Sequence, residues 1–357
     1  MKKLFKSTML FVIPAMLSVT ATQAQTVTEN KQPGINLNFM DQKVKPSTDF
    51  FRFVNGTWLD NTQIPNDKTR WGSFDELRQK TDEDALAILK EAAKNPIYKS
   101  NTDQGKAINL YKSIMDTVSR NKQGYAPLKP YLAKINAVKN TADLQALLTQ
   151  MAPVGGLGFF GVGIGVDAKN SNRNIINVGP GSVGLPDRDY YVSEDADSKE
   201  KRAKYVLHVA KMLQMIGEKP AEAQSQAEKI LAFETAMSKP RFDRVERRDR
   251  RKSYNPMTVK DLQKLTPSIN WDSYLTQIGL PKTDSLIVSQ PKYLTALEGI
   301  LKENKVEDWK AYMRWTLLNK SAGQLSTKLG NANWEFYGKT LTGAVKQRPL
   351  EERALQV

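Results

Sequence analysis

The 357-residue chain is 40% hydrophobic and 25% charged, which places it among ordinary globular proteins and outside disordered and fibrous compositions. Its net charge of +15 falls to +12 without Lys2, Lys3 and Lys6, and it holds one histidine, His208, and no cysteine. Those counts exclude a thiol nucleophile, an iron–sulfur cluster, cysteine-ligated zinc and any site needing two histidines within this chain.

In chain order, residues 1–24 read as a secretory signal peptide: three lysines, the apolar stretch Met9–Val19, then the small-x-small signal Thr22-Gln23-Ala24. The apolar run is too short to span a bilayer and Pro14 interrupts it, so no transmembrane segment is expected after signal removal, and the protein is expected to be exported, periplasmic or secreted. Residues 25–46 are a polar arm with Pro33, Gly34 and Pro46. A dense aromatic cluster follows: Phe50, Phe51, Phe53, Trp58, Trp71 and Phe74. Ser73-Phe74-Asp75-Glu76 has the form of a capping box and predicts a helix from Ser73, with Leu77, Ala85, Ile88 and Leu89 on its buried face.

Helical stripes continue at Ile108/Tyr111/Met115/Val118, Leu144/Leu147/Leu148/Met151 and Tyr205/Val209/Met212/Ile216. Others run over 221–237, 293–303 and 306–329. One region breaks the pattern. In 154–191, Phe159–Val166 alternates small and large, Asp167–Asn172 reads as a turn, and Asn174–Val178 returns, the signature of a β-hairpin. The fold class is mainly α, a multi-helix domain carrying one hairpin.

Four constellations bear on chemistry. Gly156-Leu157-Gly158-Phe159-Phe160-Gly161 matches G-x-G-x-x-G, yet the glycines run into a strand-like alternation where a nucleotide site needs a helix N-terminus, so backbone crowding in the hairpin is the better reading. Residues 239–252 carry eight cations against three acids, a net of +5 that could grip a nucleic acid or an anionic glycan; the interspersed acids favour local ion pairs, and no nucleic-acid partner is expected. His208 sits beside an apolar stripe and reads as a satisfied, partly buried side chain. Carboxylate pairs such as Asp75/Glu76 and Asp82/Glu83/Asp84 have no spacing that separates an acid/base dyad from a solvated helix face.

The block Pro46–Leu59, with Ile64-Pro65 and Arg70–Arg78, resembles the opening of the neprilysin and endothelin-converting-enzyme family of zinc metallopeptidases (peptidase family M13), in its bacterial form. Gly184-Leu185-Pro186-Asp187-Arg188-Asp189-Tyr190-Tyr191, Arg248-Asp249 leading to Tyr254–Thr258, and Trp309-Lys310-Ala311-Tyr312 with Trp315 resemble further landmarks of that family in the same order. Where the family's animal members carry a cysteine in the opening block, this chain has Ser47.

The resemblance implies a non-catalytic half of an exported zinc metalloendopeptidase. The family's His-Glu-x-x-His helix and downstream Glu lie in its C-terminal half, and the single-histidine count shows they are not here. No catalytic or metal-ligating residue and no cofactor are assigned to this chain; zinc is expected in the intact family enzyme. By the same resemblance, residues 90–330 are a cap, with the hairpin near 154–180, that restricts substrate size. Residues 25–89 and 331–357 pack on or lead to a catalytic domain, the missing partner. The implied substrates are peptides, and the implied substrate-binding residues are Arg70, which matches the position that meets a peptide's free C-terminal carboxylate, with Asp75 and Arg78 as neighbouring polar contacts. The rival expectation is a standalone exported peptide-binding or scaffold module that has lost catalysis.

Overall fold

The computed structural model describes residues 34–357, so the signal-peptide expectation lies outside the described residues. The chain divides into two compact units, whose described parts are 34–63 and 64–357. In the first, a short 3-10 turn, Leu37–Phe39, precedes helix α1, Phe50–Asn61, capped by the Asp49 side chain. Thr57 Oγ1 donates to the Met40 carbonyl at 2.7 Å, and Phe39 and Trp58 pack with ring centroids 6.3 Å apart.

The second unit opens with α2, Ser73–Ala92. Then come α3, Asp103–Met115; α4, Thr117–Gln123; α5, Lys129–Asn136; and α6, Thr141–Met151. The hairpin β1, Phe160–Asp167, and β2, Asn170–Pro180, leads to α7, Asp189–Val192, and the long pair α8, Ala196–Met215, and α9, Pro220–Ser238. After α10, Arg250–Ser253, and β3, Pro256–Met257, the chain forms α11, Val259–Leu265, and α12, Trp271–Gln277. It ends with β4, Leu286–Val288; α13, Pro291–Glu303; α14, Val306–Ser321; α15, Thr327–Trp334, running into a π-helical stretch Glu335–Leu341; and α16, Leu350–Ala354.

The helices start where side chains can satisfy their first amides: Thr102, Asn140, Asp195 and Asn270 each accept from the backbone N–H three positions on. Asp116 closes α3 and caps α4, and that break removes Val118 from the stripe it was expected to continue; Val118 is exposed. The expected capping box at Ser73 does not form. Gly72 is the N-cap and makes no side-chain cap bond, while the true capping box is Thr258 with Asp261. The expected 306–329 helix is likewise split by a 3-10 turn at Ala322–Gln324.

The hairpin stands where the alternation put it, pairing Phe160 with Pro180 through Val166 with Asn174, with a bulge at Val166/Asp167. The sheet is wider than the hairpin: β2 pairs parallel with β4, which pairs antiparallel with β3, giving the order β1-β2-β4-β3. Strands of two and three residues are too short to show a period in sequence, which is why β3 and β4 were not anticipated. Asp167, 2% exposed at the bulge, accepts from Tyr254 Oη at 2.8 Å and from Arg173 Nε at 2.8 Å, and these bonds with the Lys169 amide hold its carboxyl down to about 2.

One contiguous core joins α8, α9, α13 and α14 to the sheet, with Tyr205, Met212, Ile230, Leu297, Tyr312 and Trp315 fully enclosed. At its centre lies a carboxylate, Glu234, 1% exposed. Its Oε1 accepts from the Gly184 amide at 2.9 Å, and its Oε2 accepts from both Tyr191 and Tyr205 hydroxyls at 2.8 Å. Trp315 Nε1 in turn donates to Tyr205 Oη at 2.6 Å. This network needs the backbone at Gly184 close by: a Cβ there would stand 1.7 Å from Tyr205 Oη.

In contrast, α2 buries only Leu86 among its side chains. Leu77, Ala85 and Ile88, expected to face inward, are exposed, and Phe74 is 86% exposed.

Candidate functional site

The two ends of the second unit meet. Asn66 O accepts from the Val345 and Lys346 amides at 3.0 and 2.9 Å, Arg348 Nη2 reaches Asp82 at 2.9 Å, and Lys90 Nζ reaches Glu351 at 2.7 Å. These bonds hold the 343–357 segment against the 64–92 segment, and a cleft of about 380 Å³ opens between them. Its walls include Arg70, Asp75, Trp334, Arg348 and Arg353, and in all four cations and two carboxylates line it. A concave site with that balance suits an acidic group.

Arg70 lies in the extended segment just before α2, with its side chain 83% exposed. Its Nε stands 3.8 Å from Asp75 Oδ1, a loose contact that leaves the guanidinium fork open. Asp75, in the first turn of α2, is half-buried on the cleft wall. Arg78 is exposed, does not line the cleft and makes no ion pair among the described residues. The structure therefore brings together Arg70 and Asp75 and leaves Arg78 apart. With Gly72 rather than Ser73 as N-cap, Arg78 remains three residues beyond Asp75 but is not among the residues that line the cleft.

Sequence reasoning missed Trp334, Arg348 and Arg353 as lining residues, since their only signal was an aromatic and a charged stretch near the C-terminus, 260 residues and more from Arg70. It also missed Arg120, whose guanidinium gathers four carbonyls: Ile114, Gly323 and Leu325 at 2.7 Å and Gln324 at 3.0 Å. That clamp ties the end of α3 to the turn after α14, behind the cleft wall at Arg353, whose guanidinium is lowered in pKa by burial and by Arg120.

The other candidates resolve structurally. Gly155, Gly156 and Gly158 adopt positive φ and lead straight into β1, so no helix N-terminus faces them. In the basic run, Arg244 and Arg247 pair with Asp187, Arg251 with Asp249, and Lys252 with Glu246. His208 is buried more completely than expected, stacked on Phe336 with centroids 4.7 Å apart, and its Nε2 has no hydrogen-bond partner. Burial, and secondarily Lys211, push its pKa down to about 3.

A catalytic zinc does not fit these residues. The lone histidine is enclosed by aromatic rings, and among the described residues no three His, Cys, Asp or Glu side chains converge. No helix among the described residues is long and apolar enough to cross a membrane.

The sequence pattern described as Peptidase family M13 matches residues 46–357. Among curated relatives, endothelin-converting enzyme 1 of Cavia porcellus is 29% identical over 317 residues, covering 84% of this chain and 41% of the relative. Neprilysin-3 of Drosophila melanogaster is 28% identical over 329 residues, covering 86% and 41% respectively. Among solved structures, the Mycobacterium tuberculosis zinc metalloprotease ZMP1 in complex with inhibitor superposes with a TM-score of 0.84 at 31% identity, over 90% of this chain and 49% of that one. PepO from Lactobacillus rhamnosis HN001, at 18% identity and TM-score 0.75 over 88% of this chain and 49% of that one, shares the fold. The chain thus spans less than half the length of each of these proteins.

Proposed function

The chain belongs to peptidase family M13, and from that premise we propose that it is the non-catalytic N-terminal portion of an exported zinc metalloendopeptidase, a helical cap that limits substrate size and supplies a peptide-binding cleft. The observation that carries this reading is the cationic cleft at Arg70. Its guanidinium stays charged at every relevant pH and offers a planar fork that matches both oxygens of a peptide's terminal carboxylate. Asp75 steers that fork, and Trp334 gives an apolar wall for the adjoining side chain. The exposed Phe74, Leu77 and Ile88 on α2 suit a surface covered by the catalytic portion. Zinc, which in that enzyme polarises the scissile carbonyl and activates water, would be held by the catalytic portion. The chain's own residues bind and orient peptide.

Export rests on the signal-peptide pattern of residues 1–24. A standalone peptide-binding module is the second reading, supported by the contiguous core that the second unit builds from its own helices. It would use the same cleft without cleavage.

The test is an enzyme assembled from this chain and the catalytic portion of a family member. There, Arg70→Met weakens cleavage of peptides with a free C-terminal carboxylate by about 1.5–3 kcal/mol in kcat/KM, the scale of a lost charged hydrogen bond. Peptides amidated at that end are nearly indifferent to the change. Equal losses for both classes would refute the role of Arg70. The chain alone carries no stoichiometric zinc by atomic absorption and has no chelator-sensitive peptidase activity; finding both would refute the non-catalytic assignment.

A further inference from the structure

A guanidinium cannot shed its proton in a protein, so each buried N–H it carries must find an acceptor or cost stability. Two arginines that each carry such an unpartnered donor line one cavity. Between the end of β2, the turn before α7 and the segment after α9 lies a polar cavity of about 260 Å³, lined by Asp187, Arg188, Arg241, Arg247 and Gln290 among others. Arg241 uses Nε on the Met237 carbonyl at 3.1 Å and lays its guanidinium 5.0 Å above the Tyr293 ring, yet its buried Nη2 has no partner. Arg188 reaches Asp189 through Nη1 at 3.3 Å, and its buried Nε has none.

Charge points the same way. Three guanidiniums line the cavity against one carboxylate, a balance of +2. That carboxylate, Asp187, is already engaged, since its Oδ2 accepts from Arg247 and, at 3.3 Å, from Arg244. Gln290 commits its Oε1 to the Phe242 amide at 2.7 Å, which leaves its NH2 group available as a further donor. The lining thus offers donors from four side chains against one carboxylate, whose Oδ1 accepts only from the Asp189 amide at 3.4 Å. Its volume is too small for a polypeptide segment and ample for a small ion with a water.

We propose that this cavity is a binding site for a tetrahedral dianionic oxyanion of the phosphate or sulfate class, held by Arg188, Arg241 and Arg247. It is separate from the Arg70 cleft and does not rest on the peptidase reading. It also gives part of the 239–252 basic run a role that local ion pairing does not cover.

The experiment titrates the chain with inorganic phosphate at constant ionic strength, following thermal unfolding and calorimetric heat. Phosphate raises the unfolding temperature saturably, whereas acetate and chloride at matched ionic strength do not. Arg188→Gln and Arg241→Gln each weaken the apparent affinity for phosphate at least tenfold, while Arg251→Gln, paired with Asp249 outside the cavity, leaves it unchanged. Phenyl phosphate in a parallel titration distinguishes the sources: binding equal to that of phosphate assigns a phosphoryl group on a larger molecule, and exclusion assigns the free ion. If Arg241→Gln fails to fold, Arg188→Gln decides alone, because its side chain is 29% exposed. Equal shifts from chloride or acetate, or wild-type phosphate affinity in Arg188→Gln, would overturn the proposal.

Discussion

Two buried titratable groups, Glu234 and His208, pull stability in opposite directions as pH changes. Burial pushes Glu234 up from 4.5 to about 7, against the hydrogen bonds from Tyr191, Tyr205 and Gly184. A carboxyl raised on folding stabilises the fold below its unfolded value and loses that contribution as pH rises through the folded value, here about 3 kcal/mol between pH 4.5 and 7. Burial lowers His208 from 6.5 to about 3. A histidine held neutral stabilises above its unfolded value, and about 5 kcal/mol is lost as pH falls from 6.5 through 3.

Between pH 4.5 and 6.5 these two contributions have slopes of opposite sign and largely cancel in the wild-type chain. Urea titrations followed by tryptophan fluorescence at half-unit steps of pH separate them. Glu234→Gln leaves only the histidine, and stability rises by about 2–3 kcal/mol from pH 4.5 to 6.5; His208→Gln leaves only the carboxyl, and stability falls by a similar amount. At pH 4.5, where Glu234 is still protonated in the fold, Glu234→Gln also costs about 1–3 kcal/mol, because its amide nitrogen cannot accept from the Gly184 N–H or from the tyrosine hydroxyls. A Glu234→Gln variant that stays flat across the window, or a His208→Gln variant whose stability rises, would refute the assignment of these two groups as the opposing pair.

Further outcomes follow from single contacts. Gly184→Ala drives a Cβ into Tyr205 Oη and breaks the Glu234 network, costing about 3 kcal/mol by urea midpoint; a cost below about 0.5 kcal/mol would show that the loop moves freely. Arg120→Met strands the carbonyls of Ile114, Gly323, Gln324 and Leu325 and lowers stability by about 2–4 kcal/mol, with hydrogen exchange quickening in α3 and α15 first. Arg348→Ala removes the pairs with Asp82 and Glu352, costs about 1 kcal/mol globally and speeds exchange in α2, which it joins to the 343–357 segment alongside the Lys90–Glu351 pair; unchanged α2 exchange would refute that role.

The sequence by itself determined the periodic parts and the family. Stripes such as Leu144/Leu147/Leu148/Met151 and Tyr205/Val209/Met212 became buried helix faces, because spacing of 3.6 residues is a local property that any amphipathic helix must show. The alternation through Phe160–Val166 became a strand for the same local reason, with a period of two. The ordered motifs carried the family, and the one-histidine, no-cysteine count bounded the chemistry before any fold was known.

Tertiary structure decided what depends on pairs far apart in the chain. The apolar face of α2 looked like a core stripe, yet Leu77 and Ile88 are exposed, since periodicity says that a face exists and not what covers it. The cleft exists only because Asn66, Asp82 and Lys90 meet Val345, Arg348 and Glu351, and no local pattern encodes a meeting across some 260 residues. Nothing in the 221–237 stripe marks Glu234; only the fold closes Tyr191, Tyr205 and Gly184 around it. The arginines of the 239–252 run were likewise indistinguishable in sequence. Packing divided them, setting Arg241 beside Arg188 on the wall of one cavity, each with a buried unpartnered N–H, and leaving Arg251 at the surface, because burial and hydrogen-bond supply are properties of the assembled fold.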